Sequence, residues 1–382
     1  MTIDLKLVSE RLQKARTLQS LDIQRVSDDT GISFDRITLI ESGNQAPSGD
    51  ELLILASYYT RDFRDFIDPS RPEPFKQTDI LYRKHGNAFK ENDRRAIQEF
   101  LFLCEIESQL VKELKITSTP FKFFPSGSFF KGHGEQAAAA LRKELGYQSR
   151  EIKLDIYSDF RRIGLHIFRR KLVSSDISGL YIEHPIAGHC ILVNYEEDIY
   201  RQRFSVSHEV AHAIFDSSEA VSVTYRPSSS KYESKDLKEI RANRFASCYL
   251  MPPEMLQGSV KWTKETALEW AKKLKVSTEA LSYALLEANE IDKITANEIR
   301  KVRVSIKEKI DPEAPENLTR TQINMRNNLL QRGLSDYYVG LCFEAHYQGL
   351  ISAGRLAEAL LVDSIELKEV STLYGRSINH GL

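Results

Sequence analysis

His208-Glu-Val-Ala-His212 is the segment that most restricts what this chain can be. Two histidines four residues apart can share one ion only if a helix carries them, because positions i and i+4 lie a turn apart on one helical face. The flanks agree: Phe204, Val206, Val210, Ile214 and Phe215 are apolar, as a buried helix requires. A helix over about 200–215 is therefore predicted. Glu209 stands beside both imidazoles, placed to take a proton from a water on the metal, whose pKa zinc brings to ~7. A catalytic zinc also needs a third protein ligand and one open position. Glu239, on a second predicted helix over 235–250, can supply that ligand, with Glu233 as a rival. Asn243, one turn beyond Glu239, can orient a histidine through its other ring nitrogen, as zinc sites usually need. Zn2+ is the expected cofactor.

The chain offers room for more than this site. At 382 residues, two or three domains are expected, and 41% hydrophobic against 28% charged residues is enough for ordinary cores. A net charge of -1 gives no bulk attraction to nucleic acid or acidic membranes. Cys104, Cys190, Cys248 and Cys342 are scattered without a CxxC pair, which argues against a disulfide framework or a cysteine zinc ribbon. Asp4, Lys6, Glu10 and Arg11 interrupt the first stretch, so no signal peptide is expected there. The longest apolar run, around 52–59, is too short to span a bilayer. The expectation is a cytoplasmic protein without a membrane partner.

Residues 1–68 read as a bundle of short helices. Val8, Leu12 and Ala15 recur at helical spacing. Asp22 can cap a helix that stops at Gly31, Ser33 can cap another over 34–41 closed by Gly43, and Ser48 with Glu51 offers a capping box. Short helices around a tight glycine turn are the helix-turn-helix pattern. The charge opposes DNA binding: eight Lys/Arg against twelve Asp/Glu leave a net -4, where phosphate contact needs a basic face. Arg25 and Arg36 are the candidate DNA contacts. Protein contact, with a partner or as a homodimer, is the competing use.

Residues 69–130 hold a proline-rich linker, a long amphipathic helix over 92–114 and an irregular stretch rich in Phe, Pro and Gly. Residues 131–292 read as α+β. A helix over 136–145 precedes three short strands near 164–168, 179–183 and 190–194, and helices follow at 200–215, 235–250 and 263–274. Residues 293–382 are mostly helical, with a polar break at 311–317. The fold expected is multidomain: an all-α helix-turn-helix domain, an α+β domain with a small sheet that carries the metal site, and a mostly α C-terminal region.

Arg203-Phe-Ser-Val-Ser-His-Glu-Val-Ala-His, Glu239-Ile-Arg-Ala-Asn-Arg-Phe-Ala and Leu250-Met-Pro together resemble the ImmA/IrrE metallopeptidases, densely over 177–252. The resemblance implies a zincin-like domain with a gluzincin-type site, in which His208, His212 and Glu239 bind zinc and Glu209 is general base and acid. The first segment resembles the Xre-type helix-turn-helix often fused to this peptidase, and 334–360 is similar to tails of such fusions. Arg241, where many members carry a second acidic residue, and Ser207, where alanine is common, depart from the pattern. Such enzymes cut a partner repressor and so switch on genes, in mobile elements, defence or stress responses. The resemblance therefore implies a repressor protein as substrate, entering as an extended strand along the sheet's edge. The alternative is a DNA-binding transcription regulator whose peptidase-like domain cleaves nothing and senses a ligand or partner. Acyl chemistry also requires an oxyanion stabiliser, for which Tyr225 and Tyr232 are candidates by position. Cys248, His184 and His189 read as structural.

Overall fold

Caps start and stop the first helices. In α1 (Leu5–Leu18) the Asp4 carboxylate accepts from the amides of Lys6 and Leu7. The second helix, α2 (Ile23–Thr30), begins at Asp22 and ends at Gly31, whose φ of +74° suits a residue without a Cβ. Ser33 caps α3 (Phe34–Glu41), the Ser48–Glu51 capping box opens α4 (Gly49–Tyr58), and a single turn, α5 (Arg64–Ile67), follows. Arg16 of α1 forks onto Glu41 of α3 at 2.7 and 2.8 Å. Val8, Leu12, Val26, Ile37, Ile40 and Leu55 are buried together beneath. The structure, a computed structural model, describes residues 4–73, 75–152, 154–174, 176–226, 236–258, 260–314 and 318–378.

Next come α6 (Lys76–His85), the long α7 (Glu91–Glu113), α8 (Phe130–Glu144) and α9 (Ile156–Arg162). Strands β1 (His166–Arg170), β2 (Ile177–His184) and β3 (Gly188–Asn194) lead into α10 (Ile199–Phe215), and β4 (Val221–Tyr225) separates α10 from α11 (Leu237–Leu250). The sheet order is β1-β3-β2-β4, with β1 parallel to β3 and the other pairs antiparallel. The fourth strand was not expected; Val-Ser-Val-Thr-Tyr alternates, but it is short and lies between the two motif helices.

Strand alternation gives the sheet two covered faces. Ile167, Tyr181, Ile191 and Val193 face a core with Val206 and Val210 of α10 and Phe245 of α11. Phe168, Leu180, Ile182, Leu192 and Val221 face a second core, shared with α7, the N-terminal helices and the last helices of the chain. Those after α11 are α12 (Pro253–Leu256), α13 (Lys264–Leu274), α14 (Thr278–Glu287), α15 (Lys293–Arg300), α16 (Arg320–Gln331), α17 (Asp336–Tyr347), α18 (Ala353–Ala359) and α19 (Ser364–Leu373). Helices α13 to α15 join the core of α10, and α16 to α19 join that of α7. The polar break docks over its described part: Asp311 and Glu313 each lie 2.8 Å from the buried Arg169 guanidinium, and Glu313 also holds Arg161 at 2.9 Å. No helix among the described residues is long and apolar enough to cross a membrane.

The two candidate DNA contacts have partners within the bundle. Arg36 forks onto Glu51 at 2.7 and 2.8 Å and donates to Gln45 and the Ala46 carbonyl. Arg25 pairs with Asp29 at 2.8 Å, and Asp29 also accepts the Tyr58 hydroxyl. The hydrogen bond from Arg36 holds the Glu51 carboxyl at about 2, below its ordinary 4.5, despite some burial. A depressed carboxyl stabilises the fold above its unfolded pKa and stops doing so as pH falls through the folded value. Arg36→Met is therefore expected to cost about 1 kcal/mol at pH 7. The gap to wild type should narrow between pH 4.5 and about 2. Thermal melts at pH 7 and at a pH between 4.5 and about 2 check this; an unchanged gap would show that Arg36 acts by another route.

Candidate metal centre

The site is built where α10 is pressed between the sheet and α11. His208 and His212 project from α10 one turn apart and are buried, with Nε2 atoms 3.1 Å apart. Glu239, in the first turn of α11, brings Oε2 to 3.3 Å from His208 Nε2 and Oε1 to 3.2 Å from His212 Nε2. Zinc–ligand bonds of ~2.0–2.1 Å in a tetrahedron separate neighbouring donors by about 3.3 Å, so these spacings fit one small cation.

The outer ring nitrogens sharpen the argument. His208 Nδ1 lies 3.0 Å from Asn243 Oδ1, and His212 Nδ1 lies 2.9 Å from Asp216 Oδ2. Each acceptor asks for a hydrogen on Nδ1, so each neutral ring turns a lone pair outward at Nε2. Two lone pairs and a carboxylate then converge on one point, an arrangement that a cation satisfies. Burial alone would lower His212, but its bonds to Asp216 and Glu239 outweigh this and raise it to about 10. Among the described residues, His208, His212 and Glu239 are the one group of three His, Cys, Asp or Glu side chains close enough to hold an ion.

Glu209 is fully buried; neither carboxylate oxygen makes a well-formed hydrogen bond among the described residues, although the Thr224 hydroxyl of β4 lies close enough to act on the carboxyl. Burial pushes its carboxyl up, and the two histidines partly offset this. Its place is made by Gly179 of β2. A Cβ there would lie 3.0 Å from Glu209 Oε1 and 3.1 Å from Glu209 Cγ. The pairing of β2 with β4 is irregular between Ile177 and Gly179. The sequence pattern puts Gly179 at the start of a strand. A glycine inside a strand, at a bulge, commonly marks a close approach, and that was the available signal.

Asp216 was also missed: it follows the last residue of α10, outside any metal spacing. Tyr225 requires a correction. It is the last residue of β4, and its ring turns to the sheet face opposite α10. There it joins the core with α6, and its hydroxyl lies 2.9 Å from His85 Nδ1. Position along the chain does not show the strand alternation that carries Tyr225 away from the metal ligands. Tyr232 and Glu233 lie outside the described residues. Ser207 donates to the Arg203 carbonyl within α10, His184 meets Glu105, His189 meets the Tyr181 hydroxyl, and Cys248 is buried with a free thiol.

Residues 160–286 match the Peptidase_M78 family, the IrrE N-terminal-like domain. The matched stretch, from α9 to α14, is of metallopeptidase type and contains every residue of the site just described. No curated protein shows a significant match to the chain. A cleft of about 810 Å³, lined by Tyr200 and Phe204 of α10, Ile240 and Asn243 of α11, and Tyr283 of α14, reaches the site at Asn243, while the three ligand residues and Glu209 do not line it.

Gly179→Ala tests the close approach. The added methyl must displace Glu209 or the Leu192 carbonyl, 3.1 Å away. The expected cost is about 1–3 kcal/mol of stability. Zinc content should be retained, because no ligand is touched. Wild-type melting and wild-type activity in this variant would show that the strand yields freely.

Proposed function

We propose that this chain is a zinc-dependent endopeptidase that cleaves a transcriptional repressor and so switches on genes. The observation that carries the enzymatic reading is Glu209: a fully buried carboxylate with no well-formed hydrogen bond among the described residues, beside three converging ligand atoms. A structural zinc site has no need of such a group. His208, His212 and Glu239 would hold the ion. Zinc there would polarise a scissile carbonyl and acidify an attacking water. Glu209 takes the water's proton on a carboxylate oxygen and passes it to the leaving nitrogen. Burial, which raises its carboxyl, suits it to both halves of that transfer. The repressor as substrate rests on the resemblance to ImmA/IrrE enzymes.

Zinc analysis and cleavage assays test this together. Wild type and Glu209→Gln should each carry about one zinc per chain, and Glu239→Ala should lose it or bind it weakly. Incubation with candidate repressors should give cleavage by wild type, reduced ~10²–10⁴-fold in Glu209→Gln. Wild type that takes up no zinc on titration would sink the proposal. Cleavage unaffected by Glu209→Gln would remove its mechanism.

In this reading the amino-terminal bundle contacts protein in preference to DNA. Its net charge is -4, Arg36 is engaged internally, and Phe34, Leu53 and Ile54 are exposed. Pooled random-sequence duplexes at physiological salt should therefore bind no tighter than the ~10⁻⁴–10⁻⁶ M of non-specific contact. Enrichment of one sequence would favour the regulator alternative.

A further inference from the structure

A chain of buried contacts holds His212 from behind, and the proton transfers make no use of it. His212 Nδ1 donates to Asp216 Oδ2 at 2.9 Å. The other oxygen, Oδ1, accepts from Arg241 Nη2 at 2.5 Å. Asp216 caps the C-terminus of α10, and Arg241 lies on α11 two residues beyond Glu239. Arg241 has little freedom. Its guanidinium carbon lies 4.3 Å from the Phe215 ring centre and 5.1 Å from that of Phe130, the first residue of α8. Behind it α8 runs so close that a Cβ on Gly134 would fall 2.4 Å from the Arg241 carbonyl oxygen.

The consequence is orientational. A carboxylate that met only the imidazole could turn about its own bond and let the ring follow. With Oδ1 pinned by the guanidinium, Oδ2 is left facing Nδ1, which fixes the hydrogen on that nitrogen and the plane of the ring. The Nε2 lone pair then points at the place where the Glu239 oxygen already lies 3.2 Å away. We propose that Asp216 is a positioning residue for the metal, and that Arg241 acts on the metal only through Asp216. This inference rests on the metal reading above. Under it, α11 serves both histidines, His208 directly through Asn243 and His212 through the Arg241–Asp216 relay, while contributing Glu239 itself.

The competing account is that Arg241 and Asp216 form a clamp between two helices and nothing more. Zinc affinity, measured by competition with a chromophoric chelator, separates the two when read beside metal-free melting. Asp216→Asn keeps size and shape, and should weaken zinc binding ~10–100-fold, the usual cost of losing an outer partner of a ligand histidine. The visible absorption of the cobalt-loaded protein should shift, which a clamp would not require. Arg241→Met should weaken zinc less than Asp216→Asn and, in the Asp216→Asn background, add no further loss. Arg241→Lys should recover part of the affinity. Asp216→Asn with zinc affinity within twofold of wild type and an unchanged cobalt spectrum would overturn the proposal. So would losses that simply add in the double variant. Should Arg241→Met fail to fold, the Asp216→Asn affinity and spectrum decide alone. Wild type that binds neither zinc nor cobalt is a different failure, that of the metal reading itself.

Discussion

Three side chains can meet at one point only if α10 and α11 keep a fixed separation and roll. Apolar packing sets that geometry. Val206 and Val210 of α10 seat against Tyr181, Ile191 and Val193 of the sheet, and Ala242 and Phe245 of α11 close the same core. Small residues allow the closest contacts: Gly179 lets the sheet reach Glu209, and Gly134 lets α8 press on α11. The polar contacts then choose among the orientations this packing permits. Asn243 meets His208, and Arg241 reaches Asp216, so the two helices are joined on either side of the ligands.

Much of the site was legible because its parts are close in sequence or lie at helical spacing. The i, i+4 histidines, the neighbouring Glu209, and Glu239 with Asn243 one turn apart are all periodic statements about helices, and helices report their own period. The caps at Asp22, Ser33 and Ser48 were equally plain, since a cap depends on residues at most three apart. What escaped depends on contacts between elements. Strand β4 is five residues long, and its pairing with β2 is what makes it a strand. Tyr225 and Thr224 are neighbours in the chain, yet they serve opposite faces once that pairing exists. Asp216 looks like an ordinary helix end until Arg241 is placed beside it.

The segments outside the matched stretch do more than flank it. Asp311 and Glu313, in the polar break, are half-buried against the buried Arg169 and its neighbour Arg161. Breaking such a pair by removing one partner typically costs ~3–5 kcal/mol, because a charge is left buried alone. Arg61 of the N-terminal segment meets Glu105 of α7, which in turn lies 3.2 Å from His184 at the end of β2. The N-terminal helices, α7 and the sheet are thus joined by polar as well as by apolar contact.

The sheet is a party wall. Leu180 and Tyr181 are adjacent on β2, and each belongs to a different core. One face supports the metal helices; the other is roofed by helices drawn from both ends of the chain. Cutting out 160–286 would leave Phe168, Leu180, Ile182, Leu192 and Val221 facing water, an apolar patch of the kind that drives aggregation. The stretch that resembles an enzyme shares its sheet with a core built from sequence that does not, so the limits of 160–286 are not boundaries in the solid.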